Sequence, residues 1–219
     1  MTRHNAPMKQ PKIDLTRICK PSINMDWVRV YEESFPPEEL WPVDMLCADV
    51  ETGKKVLHTT ENSGGRTMCF TLIAPFEHFI WADYIGVDKE YQSRGIAFQH
   101  ISELLKICRL QYPSCKGFFF ATESLSEPGI NASTLAVRTR RQNLWAHLGA
   151  KHTPAREQIY SPNCIDPNTP LHIMELRWFE LHGPITSSDL QSVISQVYRD
   201  HFRFKAEMLD SMISQFQPQ

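Results

Sequence analysis

In the run from Trp81 to Phe98, the spacing Gln92-x-x-Gly95-x-Ala97 puts residues of little bulk where backbone N–H groups must come close to a ligand. The residues before it alternate as a strand. Those after it repeat at helical spacing through Ile101, Leu104, Leu105 and Cys108, so the positive end of a helix dipole aims at the same point. A pyrophosphate fits such a site, and Arg94 could meet a phosphate as a charged fork. A plain strand-to-helix turn is the other reading of the hexapeptide. The Lys-Ser/Thr ending of a Walker loop and the three glycines of a dinucleotide fingerprint are both missing. Two acids also stand out. Asp83 precedes the loop and Glu123 ends the run Gly117-Phe-Phe-Phe-Ala-Thr-Glu123, and acids in apolar strands are costly unless paired or functional. By alternation Trp81, Asp83, Ile85 and Val87 share one strand face.

Positioning these groups takes a strand, a helix and a second strand. The first strand ends at Val87, the helix spans about 95–112 and stops at Pro113, and 117–123 follows as a buried central strand paired in parallel with the first. Upstream, 13–19 alternates loosely as a strand and 24–35 is an amphipathic helix. Pro36 and Pro37 stop that helix and start another through Met45 to Asp49. The stretches 55–60 and 67–74 form a hairpin around Glu61-Asn-Ser-Gly-Gly65. Downstream, 132–147 is helical up to the stop at Gly149, and strands follow at 158–160 and 171–179 around the proline-rich loop 161–170. Leu190, Val193, Ile194 and Val197, then Met208, Leu209, Met212, Ile213 and Phe216, mark one bent or two short helices as an appended tail.

The 219 residues, 42% of them apolar, suffice for one sizeable core, read as a domain over 11–182 with a helical extension over 183–219 packed on it. No run reaches the roughly 18 apolar residues of a membrane span. A net charge of −2 with scattered cations argues against nucleic acid. The six cysteines (19, 47, 69, 108, 115 and 164) show no CxxC or Cys/His ligand spacing, so no metal is expected, and they suit reduced thiols. With no apolar core for a signal peptide at the start of the chain, a cytoplasmic location is expected.

The loop in its strand-loop-helix setting resembles the pyrophosphate loop of the GCN5-related N-acetyltransferase (GNAT) superfamily, whose pattern is Gln or Arg, two residues, Gly, one residue, Gly or Ala. Phe35-Pro-Pro-Glu-Glu39 resembles the family's Phe-Pro-x-x-Glu turn, and Asn143-Leu-Trp-Ala-His-Leu-Gly-Ala150 its (Phe/Leu)-Tyr-x-x-x-Gly-Phe block. The element order over 13–180 is similar as well. The resemblance implies an α/β (α+β) fold, with a mixed, mostly antiparallel sheet containing one splayed parallel pair and flanked by helices. It also implies an acetyl-coenzyme A-dependent transfer of acetyl to a primary amine, on a small molecule or a lysine or peptide, by direct attack in a ternary complex. A catalytically silent acyl-coenzyme A-binding regulatory module is the alternative.

By the same resemblance, the backbone of Ile85, Gly86 and Val87 pairs with the pantetheine arm, and Val87 N–H could polarise the thioester carbonyl. Gln92, Ser93, Arg94, Gly95, Ile96 and Ala97 bind the pyrophosphate. Asp83 is assigned as general base and Glu123 as the amine binder or its alternate; a solvent-facing Asp83 and a loop-capping Glu123 are the bland readings. Many relatives use a late-helix tyrosine as general acid, but Trp145 stands there, which leaves Tyr160, His147 or water; for Tyr160 a plain core role is the competing reading. Arg138, where relatives often have asparagine, is read with Arg140 and Arg141 as a contact to the adenosine phosphate or as a solvated face. Trp81 and Trp145 are core residues or shape the substrate slot. The expected partners are acetyl-coenzyme A and an amine, for a monomer or homodimer.

Overall fold

The computed structural model describes residues 25–153, 158–164 and 172–216, so the strand expected at 13–19 and most of the proline-rich loop lie outside the described residues. Val56–Glu61 (β1), Thr67–Pro75 (β2) and Phe79–Val87 (β3) form an antiparallel meander. Gly117–Glu123 (β4) lies parallel to β3. Lys151–His152 (β5) and Gln158–Tyr160 (β6) both pair with Ile173–Glu180 (β7), which runs antiparallel to β4. Among the described residues this makes a seven-stranded, mostly antiparallel sheet in the order β1-β2-β3-β4-β7-β5, with β6 on β7. The two-residue β5 was not expected from the sequence; so short a segment carries no periodic signal.

Apolar faces decide where the helices sit. Asp26–Ser34 (α1) and Val43–Glu51 (α2) bury Trp27, Val30, Tyr31 and Leu46 against Leu57, Phe70, Leu72 and Tyr84. On the opposite sheet face, Ile96–Gln111 (α3) and Ala132–His147 (α4) pack Ile101, Leu104, Leu105 and Trp145 against Ile73, Ile80, Phe118 and Phe120. The helix expected to start at Pro36 starts later: Pro37–Glu39 makes a single 3-10 turn, and α2 begins only after Pro42. Pro42 disfavours helical backbone at Trp41, which interrupts the run.

The C-terminal stretch is more than an appendage. Ser187–Gln196 (α5), a π-helical turn Val197–His201 and Ala206–Ser214 (α6) pack Ile194, Val197, Tyr198, Phe202 and Met212 on Trp81, Phe119, Leu176 and Trp178. They cover the sheet face that also carries α1 and α2, because Leu72 and Ala74, which touch the two groups of helices, share one side of β2. Among the described residues no helix is long and apolar enough to cross a membrane.

One irregularity sets the site. The register of β3 on β2 shifts between Leu72, opposite Tyr84, and Ile73, opposite Ala82, leaving Asp83 as an extra, bulged residue. The alternation expected over Trp81, Asp83, Ile85 and Val87 therefore fails. Trp81 packs toward the C-terminal helices, whereas Ile85 joins the α3-facing cluster and Val87 packs beside Ile96.

Candidate active site

β3 and β4 pair only where Phe79, Ile80 and Trp81 face Gly117, Phe118 and Phe119. Past that point the bulge turns β3 aside; residues 82–87 keep pairing with β2 alone, and 120–123 with β7 alone. Each strand thus presents an unpaired backbone edge to the gap, and such groups seek a partner. The gap opens into a cleft of about 720 Å³ lined by both strands, the start of α3, one side of α4, the 3-10 turn and the start of β7.

At one end lies the loop 92–97. Ser93 and Gly95 both hold left-handed backbone, at φ 61° and 78°. Gly95 is the N-cap residue of α3, and no side chain caps that helix. Its first-turn N–H groups therefore lack a side-chain acceptor, and the dipole adds positive potential where they point. The approach to the loop is rigid. Asp88 is almost fully buried, meets Arg29 at 2.8 Å and Arg66 at 2.9 Å, and accepts the Glu90 N–H at 2.9 Å. Burial alone would raise its carboxyl, but these donors hold it below the usual aspartate range. Gln92 Nε2 donates to Val87 O at 3.2 Å and ties the loop to the strand.

Ile85, Gly86, Val87, Gln92, Ser93, Gly95, Ile96 and Ala97 line the cleft. Arg94 does not; its guanidinium lies 5.8 Å from the Tyr91 ring centroid. Gly86 owes its small size to packing, since a Cβ there would collide with the Phe70 ring.

The two acids singled out from the sequence are both engaged. Asp83 Oδ2 lies 2.5 Å from Lys55 Nζ, and Oδ1 lies 2.6 Å from His201 Nε2, with the carboxylate 3% exposed. Burial pushes that carboxyl up, yet Lys55 and His201 together outweigh it and hold it low. Such a group is a poor direct proton acceptor, since one oxygen already faces the Lys55 ammonium and the other the His201 ring nitrogen. Glu123 reaches the cleft mouth and pairs with Arg141; burial would raise it, and Arg141 lowers it. Tyr160 lines the cleft from β6, and its carbonyl accepts the Tyr198 hydroxyl at 2.9 Å.

Arg138, read as a contact to an adenosine phosphate, instead is buried, pairs with Glu127 at 2.5 Å and donates to Ser124 O at 2.9 Å. It still borders the cleft, as do Arg140 and Arg141. Trp145 is buried with its ring tilted against Phe120, centroids 4.7 Å apart, and Trp81 sits among the C-terminal aromatics. Both tryptophans also border the cleft.

Four groups escaped the sequence reading. Lys55 and His201 flank Asp83 from the residue before β1 and from the π-helical turn. Glu39 and His172 face each other across the cleft mouth at 3.7 Å. Burial, with the Glu123 charge adding to it, raises the Glu39 carboxyl above the usual glutamate range. Of these, only Glu39 lay within a recognised motif, Phe35-Pro-Pro-Glu-Glu39. Among the described residues, no group of three or more His, Cys, Asp or Glu side chains could hold a metal ion.

Comparison with solved structures shows what architecture this is. A GNAT-family structure from Bacteroides thetaiotaomicron, assigned as an acetyltransferase, superposes with TM-score 0.66 at 16% identity, covering 87% of this chain and 99% of that one. Arabidopsis thaliana NAA60 in complex with acetyl-CoA superposes at 0.56 with 14% identity, over 77% of this chain and 98% of that one. The ribosomal-protein-S18-alanine N-acetyltransferase of Escherichia coli superposes at 0.50 with 13% identity, over 74% and 89%. No protein-family model matches the sequence, and no curated protein sequence matches it. The chain has the fold of the GCN5-related N-acetyltransferases.

Proposed function

We propose that this protein, built on the GNAT fold, is an acetyl-coenzyme A-dependent N-acetyltransferase of a primary amine, working by direct attack within a ternary complex. The observation that carries the reading is the continuity of the cleft: an unpaired strand edge over 82–87 leads into the uncapped start of α3. A pantetheine arm has amides that can pair with such an edge, and a pyrophosphate suits left-handed Ser93 and Gly95 next to a helix N-terminus. Ile85, Gly86 and Val87 would hold the arm; Gln92, Ser93, Gly95, Ile96 and Ala97 would hold the pyrophosphate, with Arg94 swinging off Tyr91 to join them.

The remainder of the cleft is then the acceptor side. Glu39 and Glu123 supply negative charge for an ammonium group, and Trp41, Tyr160 and Phe202 supply an apolar wall. Asp83 would act as an anchor that fixes the bulge beside the thioester, and Tyr160, from the cleft wall, would protonate the departing thiolate. A thiolate is a good leaving group, so that step asks little of its acid. Cys47, Cys69, Cys108, Cys115 and Cys164 are unpaired, in keeping with a reducing, cytoplasmic setting.

A silent acyl-coenzyme A-binding module is the second reading. It is favoured by Trp145, which cannot deliver a proton readily, and by the ion pairs that occupy Asp83 and Glu123. One experiment separates the two. Thermal unfolding is compared with and without acetyl-coenzyme A, and thiol release is followed with a panel of spermidine, glucosamine, lysine and peptides with free N-termini. A ligand at a hundred times its Kd adds about 2.7 kcal/mol of stability. Stabilisation together with thiol release establishes the transferase. Stabilisation without turnover supports the silent module, and no stabilisation overturns both readings.

A further inference from the structure

The cleft mouth contains a chain of ionisable groups drawn from four separate elements. Glu39 ends the 3-10 turn after α1, and that turn is clamped over the sheet: the Tyr84 hydroxyl donates to Glu39 O at 2.5 Å and Cys164 N donates to Glu38 O at 2.8 Å. His172, just before β7, faces it, with Nε2 3.7 Å from Glu39 Oε1. On its other side His172 Nδ1 lies 3.1 Å from Glu127 Oε1. The imidazole is positioned from its backbone too, because His172 N donates to Ser161 Oγ at 2.9 Å and Ser161 N donates to His172 O at 3.0 Å. Glu127 is fixed in turn by the Ile173 N–H at 3.2 Å and by buried Arg138 at 2.5 Å.

This is the arrangement of an oriented base. A carboxylate on Nδ1–H selects one tautomer and leaves the Nε2 lone pair free, and the ring is about two-thirds buried yet opens on the cleft. A gap of 3.7 Å between Nε2 and the Glu39 carboxylate is too long for a direct hydrogen bond, and a third group in the cleft could approach both. The charged groups around the pair are Glu127 and Arg138 beyond His172, and Glu123 with Arg141 beside Glu39.

We propose that Glu39 and His172 are the proton-accepting pair of the acceptor site, Glu39 holding the substrate ammonium and His172 Nε2 taking its proton, with Glu127 as the positioning residue. The inference rests on the transferase reading. One ammonium proton passes to His172, and the freed nitrogen lone pair attacks the thioester carbonyl carbon. The C–N bond forms and the C–S bond breaks. The thiolate leaves with the Tyr160 proton as free thiol, the tyrosine recovers the second proton of that nitrogen, and His172 returns its proton to solvent, giving an amide and coenzyme A. Glu39 fits its role by what it lacks as well: Glu123 and Glu127 are each ion-paired with an arginine that holds them low, whereas among the described residues Glu39 has no such pair, so a substrate ammonium would supply its counter-charge.

The test measures kcat and KM against pH for whichever amine of the panel above is acetylated, in wild type, His172→Gln, Glu39→Gln and Glu127→Gln. Acetyl-coenzyme A affinity and thermal unfolding serve as controls for folding. His172→Gln is expected to lose about 10²–10⁴-fold in kcat/KM at neutral pH. The deficit should shrink as pH approaches the amine's own pKa, where substrate arrives already neutral, and imidazole should restore part of the rate to His172→Ala. Glu39→Gln should raise KM more than it lowers kcat, and Glu127→Gln should lower kcat with KM nearly unchanged. If wild type acetylates an amine while His172→Gln and Glu39→Gln stay within threefold of it, or if the deficit is constant with pH, the proposal fails and the transferase reading stands. If wild type binds acetyl-coenzyme A but acetylates none of the amines, the transferase reading fails and takes this proposal with it.

Discussion

His201 and Asp83 stand 118 positions apart in the chain and meet at 2.6 Å, Nε2 against Oδ1. The contact joins the π-helical turn of the C-terminal segment to the bulge of β3, and Lys55, just before β1, closes it at 2.5 Å. π-Helical turns recur at functional sites because the extra residue re-aims a side chain, and here the turn ends on His201. Phe76 and Phe202 flank the imidazole, with ring centroids 6.4 and 4.9 Å from it. The last segment of the chain thereby fixes the geometry of the strand against which the donor would lie.

Asp83→Asn is expected to cost stability more than catalysis. The substitution leaves Lys55, 6% exposed, without its counter-charge, and breaking a buried pair in this way typically costs about 3–5 kcal/mol. Urea denaturation reads that loss, while thiol release per folded molecule should fall less than tenfold. A rate loss above a hundredfold at unchanged stability would return Asp83 to the role of general base.

Gly95→Ala tests the anion loop. Nothing lies near enough to clash with the added methyl, so the cost is conformational: about 1–2 kcal/mol for an L-residue in left-handed backbone. If the loop relaxes to avoid that strain, the N–H groups lose their aim and acetyl-coenzyme A affinity should drop at least tenfold by calorimetry. Undiminished affinity would show that the pyrophosphate binds elsewhere.

Stability should fall steeply in mild acid. Burial pushes His58 down to about 4, and burial with the His58 charge pushes His100 down to about 3. Both folded values lie below the ordinary 6.5, so between these limits the unfolded chain binds more protons. The stabilisation is present above pH 6.5 and is lost as pH falls toward 4 and 3, at up to about 1.4 kcal/mol per pH unit for each group. His100 is held by the Thr60 and Thr71 hydroxyls at 2.7 and 2.9 Å, whereas neither ring nitrogen of His58 has a partner among the described residues. His58→Phe should therefore flatten the decline in denaturation midpoint between pH 7 and 5; an unchanged slope would assign the decline to other groups.

Removing residues 187–219 should leave no cooperatively folded remainder. The cut strips Tyr198, Phe202 and Met212 from Trp81, Phe119 and Trp178, exposing an aromatic sheet face. The single change Phe202→Ala should cost about 3–5 kcal/mol. A truncated chain with a sharp thermal transition would make the segment a separable extension.

The sequence alone determined the elements whose signal is local. Gly95 and Ala97 ahead of the helical repeat Ile101, Leu104, Leu105 and Cys108 marked the start of α3, the Phe118 to Phe120 run marked β4 as central, and the Pro36-Pro37 pair marked the end of α1. These features act within a few residues, through left-handed backbone, apolar burial or a missing N–H, so they can be read from neighbours in the chain. Tertiary structure alone decided which charges meet. Asp83 left its expected face because a bulge forms only when β2 and β3 pair, and its partners Lys55 and His201 stand 28 positions before it and 118 after it. Glu39, Glu127 and His172 carry no shared spacing; the clamped 3-10 turn and the start of β7 bring Glu39 and His172 to one cleft, and the loop after β4 sets Glu127 behind His172. Pairing between distant segments has no period in the sequence, and the strength of an ion pair depends on a separation and a burial that only the folded chain defines.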